Sequence, residues 1–169
     1  METEACILGR KSIRNFNGKQ INGDDIKKIL EAARWAPSGK NKQPWRFYVI
    51  QNRDVLNKIS RLTEYYSWMK QASTFIAVYL DRASSYDEKK DMQGIGAAIQ
   101  NMLLMAHDRG ISCCWNGEIL ANEQKVNELL NAPDNLELMA VIAMGYTDTT
   151  RLICADRLSL DTLVVNWIK

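Results

Sequence analysis

Histidine is almost missing from this chain. Its 169 residues include one, His107, so no Ser-His-Asp triad can be assembled, and no HExxH, Walker A or EF-hand spacing occurs. That one histidine falls inside an apolar helical pattern, where packing or surface placement is the ordinary outcome. Long hydrophobic runs are also missing: none approaches the 18 or more residues of a membrane span. Glu2 and Glu4 interrupt the N-terminus, which has no apolar core of the secretory type, so a cytoplasmic location is expected. A strong charge imbalance is absent too. Twenty-two Lys and Arg against 20 Asp and Glu leave +2, too little to argue for a nucleic-acid partner. An enzyme so poor in acid, base and nucleophile constellations points to a cofactor that carries the reaction.

Size and composition place the chain among ordinary globular proteins. One domain spanning 1–169, burying roughly 70% of its unfolded surface, is the simplest expectation. Of the four cysteines, Cys6, Cys113, Cys114 and Cys154, none matches a zinc or thioredoxin-type spacing. Cys113 and Cys114 lie in an apolar strand-like run and read as buried thiols, with a redox pair as the alternative. Gly94-Ile95-Gly96 resembles the start of a dinucleotide fingerprint, but no strand leads into it and the third glycine is missing. Close helix packing is the better reading.

Periodicity organises the rest. Asn22-Gly23-Asp24-Asp25 offers a cap before Ile26, Ile29, Leu30 and Ala33, spaced as one helix face. Pro37 ends that helix near Ala36. Segments 45–51, 74–81, 111–115 and 138–146 read as strands, and 53–62, 92–109 and 123–130 as helices, with a short helix at the C-terminus. This alternation argues for a central sheet with helices on both faces. The helix over 92–109 is apolar or small nearly all round, so a partner subunit is expected to cover one side.

Two polar clusters stand out. Arg10, Lys11, Ser12 and Arg14 supply guanidinium, ammonium and hydroxyl groups, the donors that bind a phosphate monoester; a solvated basic turn is the bland alternative. Pro37, Ser38, Gly39, Lys40 and Asn41 supply a rigid turn with amide donors, and Gln43-Pro44-Trp45 locks its exit into a strand. A flat heteroaromatic ring needs such a set, polar at its edge and apolar on its faces. Alone, the second cluster is equally a capping turn.

Jointly the clusters are more specific. RKSIRNF followed by EAARWAPSGKNKQPWRF resembles the FMN-dependent nitroreductase family. GIGAAIQNMLLMAHDRGISCCWNG is similar to its central helix and following strand, and MGYTDTTRLICADRLSLDTLV to its terminal segment. The resemblance implies an α+β fold with a mixed central sheet flanked by helices, assembled as an intertwined homodimer with FMN at the subunit interface. It implies that Arg10, Lys11 and Ser12 hold the phosphate and ribityl chain, and that Arg14 lies near the polar edge of the flavin, where a cation stabilises developing negative charge. Pro37, Ser38 and Asn41 correspond to a loop reaching the second subunit's flavin, and Asn116 and Gly117 to backbone near flavin N5. Arg157, or else Arg151, corresponds to a terminal basic contact with the phosphate.

The activity so implied is NAD(P)H-dependent: hydride passes from NADH or NADPH through flavin N5 to a nitroaromatic, quinone or similar electron-poor acceptor, on one open site used in turn. Lys70 or Gln71 matches a contact before the second strand. Trp68 and Trp115 are core residues or pocket walls. The inserted helices that cover the site in longer relatives are reduced to 65–70 and 82–91. A flavin protein with a specialised or non-turnover role (dehalogenase-like, flavin-consuming, sensor or storage) is the alternative. A cofactor-free dimeric binding module is a third reading.

Overall fold

The structure, a computed structural model, describes residues 1–149 and 156–168. Its elements in order are α1 (Thr3–Gly9), α2 (Gly23–Arg34), β1 (Trp45–Ile50), α3 (Arg53–Ser60), α4 (Tyr66–Met69), β2 (Thr74–Asp81), α5 (Glu88–Asp108), β3 (Ser112–Asn116), α6 (Glu123–Leu130), β4 (Leu136–Gly145) and α7 (Leu160–Leu163).

Local chemistry accounts for most boundaries. The Asn22 side chain accepts from the Asp25 N–H at 2.8 Å and opens α2. Asn52 caps α3 in the same manner, accepting from Asp54 at 3.0 Å and Val55 at 3.2 Å. Asp87 accepts from the Lys90 N–H at 3.0 Å, so α5 starts at Glu88, four residues before its apolar periodicity begins. At the other end Gly110 takes φ +69°, as a C-terminal glycine does.

The four strands run in the order β1-β2-β4-β3 and every neighbouring pair is antiparallel. The mixed sheet expected from sequence is therefore corrected: the parallel contribution here is a single bridge between Ser12 and Cys113. The reason lies in the connections. Ile50 pairs with Phe75 and Asn116 with Val141, so α3–α4 and α6 leave and re-enter the sheet at the same end. Only α5, 21 residues and about 31 Å long, carries the chain from one end to the other.

Helices cover both faces, as the alternation implied. On one, α2 and α5 pack through Ile26, Ile29, Ile95, Ile99 and Met102 onto Ile76, Val78, Ile142 and Cys113. On the other, Leu56, Ile59, Trp68, Met69 and Val126 pack onto Phe75, Ala77, Tyr79, Val141 and Cys114. All eight residues of β2 are buried in consequence. A bulge in β4 opposite Val78 and Tyr79 shifts its alternation by one residue, so that Leu136 and Leu138 face the same side as Val141 and Ala143.

Within one copy α5 is buried on one face. Met92, Gly96, Ala97, Leu104 and Met105 stay partly open, beside the exposed Ile7, Leu8 and Trp35. Gly94 packs closely, since an added Cβ would stand 3.4 Å from the Pro37 carbonyl oxygen; a Cβ on Gly96 would meet nothing within 4 Å. The close-packing reading thus holds within the copy for Gly94 alone. Along 156–168 no residue is buried, and Leu158, Leu160, Val165, Trp167 and Ile168 are strongly exposed. No helix among the described residues is long and apolar enough to cross a membrane.

Candidate functional site

The basic cluster forms an extra edge along β3. Ser12 bridges Cys113, and the Ile13 N–H donates to the Cys113 carbonyl at 3.0 Å. The segment is then tied down beyond the cluster: the Phe16 N–H donates to Gln71 Oε1 at 3.2 Å, and the Asn17 N–H to the Tyr146 carbonyl at 2.9 Å. Before β2, Gln71 is engaged with the backbone of this segment, while Lys70 is exposed. Phe16 is buried against Trp68, with ring centroids 6.4 Å apart. Arg10 and Lys11 are half-buried, whereas Ser12 and Arg14 are exposed.

These cations act on the thiols behind them. Burial pushes the Cys113 thiol up to about 12, against a small opposing pull from Arg10. Burial also raises Cys114, opposed by Arg14, a hydrogen bond with Ser12, and Arg10. Cys6, Cys113 and Cys114 are buried and free, so the reading of the pair as buried thiols holds; Cys154 lies outside the described residues. Among the described residues no group of three or more His, Cys, Asp or Glu could hold a metal.

The second cluster is a tight turn over Gly39–Asn41, closed by the Asn41 N–H to the Ser38 carbonyl at 3.0 Å. Ser38 Oγ accepts the Gln43 N–H at 3.0 Å, so this hydroxyl braces the loop from inside. Lys40, Asn41 and Gln43 take φ of 51°, 54° and 50°. The left-handed conformation suits Asn but costs other residues roughly 1–2 kcal/mol each, and such strain gathers where function holds it. Packing holds it here. Gly94 backs Pro37 and Ser38, and the Tyr86 ring lies so close to Gly39 that a Cβ there would stand 2.4 Å from its hydroxyl.

The remaining candidates divide. Asn116 is buried and its amide is spent inside the protein: Nδ2 donates to Thr63 Oγ1 at 3.2 Å, and Oδ1 accepts the Ile119 N–H at 3.2 Å. Thr63 Oγ1 in turn donates to Glu118. What Asn116 and the exposed Gly117 present to a ligand is thus backbone and not the Asn116 side chain. Trp68 belongs to the core, while Trp115, opposite Ile142 on β4, is 42% exposed. Arg157 is exposed on the C-terminal arm and donates to the Asp156 carbonyl at 3.1 Å. Arg151 lies outside the described residues.

Within one copy the two clusters do not meet. The basic segment flanks β3 level with Met144 and the turn feeds β1 level with Glu137, so the two lie at opposite edges of the sheet, about 15–20 Å apart across the strands and about 20 Å apart along them at the usual spacings. Both sheet faces between them are filled with side chains. A groove of about 650 Å³ between α6 and the start of β4 is lined by Glu123, Glu128, Asp134 and Glu137, the wrong charge for a phosphate.

The profile of the Nitroreductase family matches residues 7–65 and 60–146. The chain belongs to the nitroreductase family. An Archaeoglobus fulgidus protein named "Putative NADH dehydrogenase/NAD(P)H nitroreductase" is 38% identical over 143 residues, covering 83% of this chain and 82% of its own. A crystal structure of "a putative nitroreductase in complex with fmn" from Desulfovibrio desulfuricans superposes with a TM-score of 0.89 at 35% identity, covering 99% of both chains. The basic edge and the strained turn both lie within the matched span.

Proposed function

We propose that this chain is a single-domain FMN-dependent oxidoreductase, working as a homodimer with two composite sites. The observation that carries the reading is the separation just described: phosphate-type donors on the β3 edge and a strained amide turn on the β1 edge, with a filled sheet between. A second copy bringing its turn to the first copy's basic edge completes a site that neither copy has alone. The surface for such a contact exists. Cys6, Ile7, Trp35, Leu104 and Met105 line an apolar cleft of about 480 Å³, continuous with the open face of α5, and the C-terminal arm exposes apolar side chains along its length.

The residues present suit FMN. Arg10, Lys11 and Ser12 combine fixed charge with a hydroxyl donor, as a phosphate monoester requires, with Arg157 or Arg151 as a further cation. Arg14, exposed on the same edge, would stabilise negative charge at the polar edge of the flavin. Pro37, Ser38 and Asn41 form the opposing wall from the other copy. Asn116 and Gly117 offer backbone at the end of β3, held rigid by the Thr63 network. When bound, FMN would supply the two-electron chemistry, hydride transfer through N5 between NADH or NADPH and a nitroaromatic, quinone or similar electron-poor acceptor. With one histidine that packs under Gly9, the protein's own part is to bind, orient and polarise.

The purified protein is expected to be yellow, to carry FMN, and to bleach under anaerobic NADH or NADPH. A colourless protein that takes up no added FMN overturns the proposal. The double variant Arg10→Ala/Ser12→Ala should weaken FMN retention; unchanged FMN affinity would show that the phosphate lies elsewhere.

A further inference from the structure

The short connection 82–87 is anchored by the buried carboxylate of Asp91. Its Oδ2 accepts from Ser85 Oγ at 2.7 Å, from the Tyr86 N–H at 3.0 Å and from the Asp87 N–H at 3.1 Å. Burial alone would push this carboxyl up, and those hydrogen bonds hold it below the usual range, so it stays charged and the turn stays pinned. The pinned turn places the Tyr86 ring against Gly39. Over that ring stand two ammonium groups, Lys40 at 5.0 Å and Lys90 at 5.2 Å. They differ in one respect. Lys90 pairs with Asp87 at 3.3 Å, whereas Lys40 has no carboxylate within ion-pairing distance among the described residues. Lys40 is also held in a left-handed conformation in the middle of the strained turn. The fold therefore uses strain and a ring contact to aim the Lys40 charge outward from the turn, whereas Lys42, exposed two residues on, has no such ring contact.

We propose that Lys40 recognises an anionic substituent on the acceptor, so that aromatic acceptors bearing a carboxylate are preferred over neutral ones, and that Tyr86 is the residue that positions Lys40. This rests on the reading that the turn of one copy borders the flavin of the other. The charge then lies at the rim of that site, where an aromatic acceptor's ring substituent would project. An exposed charge of this kind acts at short range and fades with salt.

The test uses the oxidised holoprotein and a non-reducible pair of probes, benzoate and benzamide, titrated by the change in flavin absorbance. Benzoate should bind about tenfold tighter at low salt, as a charge-assisted contact allows, and the preference should shrink as salt rises. Lys40→Asn, which keeps a residue at home in the left-handed region, should bring the ratio near one. Lys40→Arg should restore most of it. Tyr86→Leu, with Lys40 intact, should give an intermediate ratio. A wild-type holoprotein that retains FMN and is reduced by NADH yet binds both probes equally overturns the Lys40 assignment and leaves the flavin reading standing. So does Lys40→Asn with an unchanged ratio, or one in which only the preference for NADPH over NADH moves. A wild-type protein that takes up no FMN overturns both.

Discussion

Replacing Gly39 by alanine tests how the turn is held. Gly39 is outside the left-handed region, so alanine meets no backbone penalty there, and the cost falls on packing. The new methyl would stand 2.4 Å from the Tyr86 hydroxyl and 2.5 Å from Cε1, so the ring must retreat by about 1 Å to regain van der Waals contact. The Tyr86 backbone cannot follow easily, because Asp91 holds its N–H at 3.0 Å. The ring must rotate off its rotamer, at about 0.5–1.5 kcal/mol. It also weakens the contacts with Lys40 and Lys90, about 0.5 kcal/mol each at an exposed site. The total, about 1.5–2.5 kcal/mol, should lower the melting temperature by roughly 3–10 °C in a chain of this length. Differential scanning calorimetry of Gly39→Ala, Tyr86→Ala and the double variant supplies the check. Once Tyr86 is alanine the clash has no partner, so Gly39→Ala should then cost nearly nothing. A wild-type melting temperature for Gly39→Ala, or the same cost in both backgrounds, would refute the proposed clamp.

Three further outcomes are expected. Asn116→Ala strands the Ile119 N–H and removes a donor from Thr63 in a buried network, and should cost about 1–3 kcal/mol by urea denaturation; a loss under 0.3 kcal/mol would contradict the assigned geometry. Cys113 and Cys114, buried and with raised pKa, should resist iodoacetamide at pH 8 in the native protein and react fully in denaturant, as read by mass spectrometry of their peptide; rapid native labelling would contradict their placement. For Asp81, burial pushes the carboxyl up, but hydrogen bonds from Ser84, Asn135 and the Ala83 N–H and the charge of Arg46 outweigh it, so that its pKa is lowered on folding, as is that of Asp91. Their stabilisation is present above the unfolded carboxylate range near pH 4 and is lost as pH falls through it toward the folded values, so the melting temperature should drop between about pH 5 and pH 3. A flat profile across that window would argue against both networks.

The parts of the site that were legible in the sequence are local. A cap at Asn22, a breaker at Pro37 and a donor-rich RKSIR segment each announce themselves within a few residues, and the structure finds the helix, the turn and the exposed edge there. What was not legible depends on distant pairing. Nothing in β2, α5 or β3 alone says that β4 will insert between β2 and β3, yet that insertion makes the sheet antiparallel and sends the two clusters to opposite edges. Asn116 illustrates the limit at a single residue, since its side chain turns inward only because Thr63, 53 positions away, waits for it. Tyr86 lay in what reads as a polar connection. The sign that could have marked it is the Asp87 cap, which starts α5 early and leaves the preceding aromatic on a tight turn. The α1 helix escaped because its seven residues show a single buried side chain, Cys6, too few for a pattern.

The central claim, that the flavin site is shared between two copies, is tested most directly by complementation. One variant carries Arg10→Ala and Ser12→Ala, the other Ser38→Ala and Asn41→Ala, each alone expected to lose FMN. Co-expressed with different tags, they form a mixed dimer in which one site combines two damaged halves and the other two intact halves. With random two-fold pairing, FMN content should recover to about a quarter of wild type in the mixture and to about half in the doubly purified mixed dimer. No recovery in a mixed dimer that forms normally would place both clusters around one copy's own ligand and contradict the account.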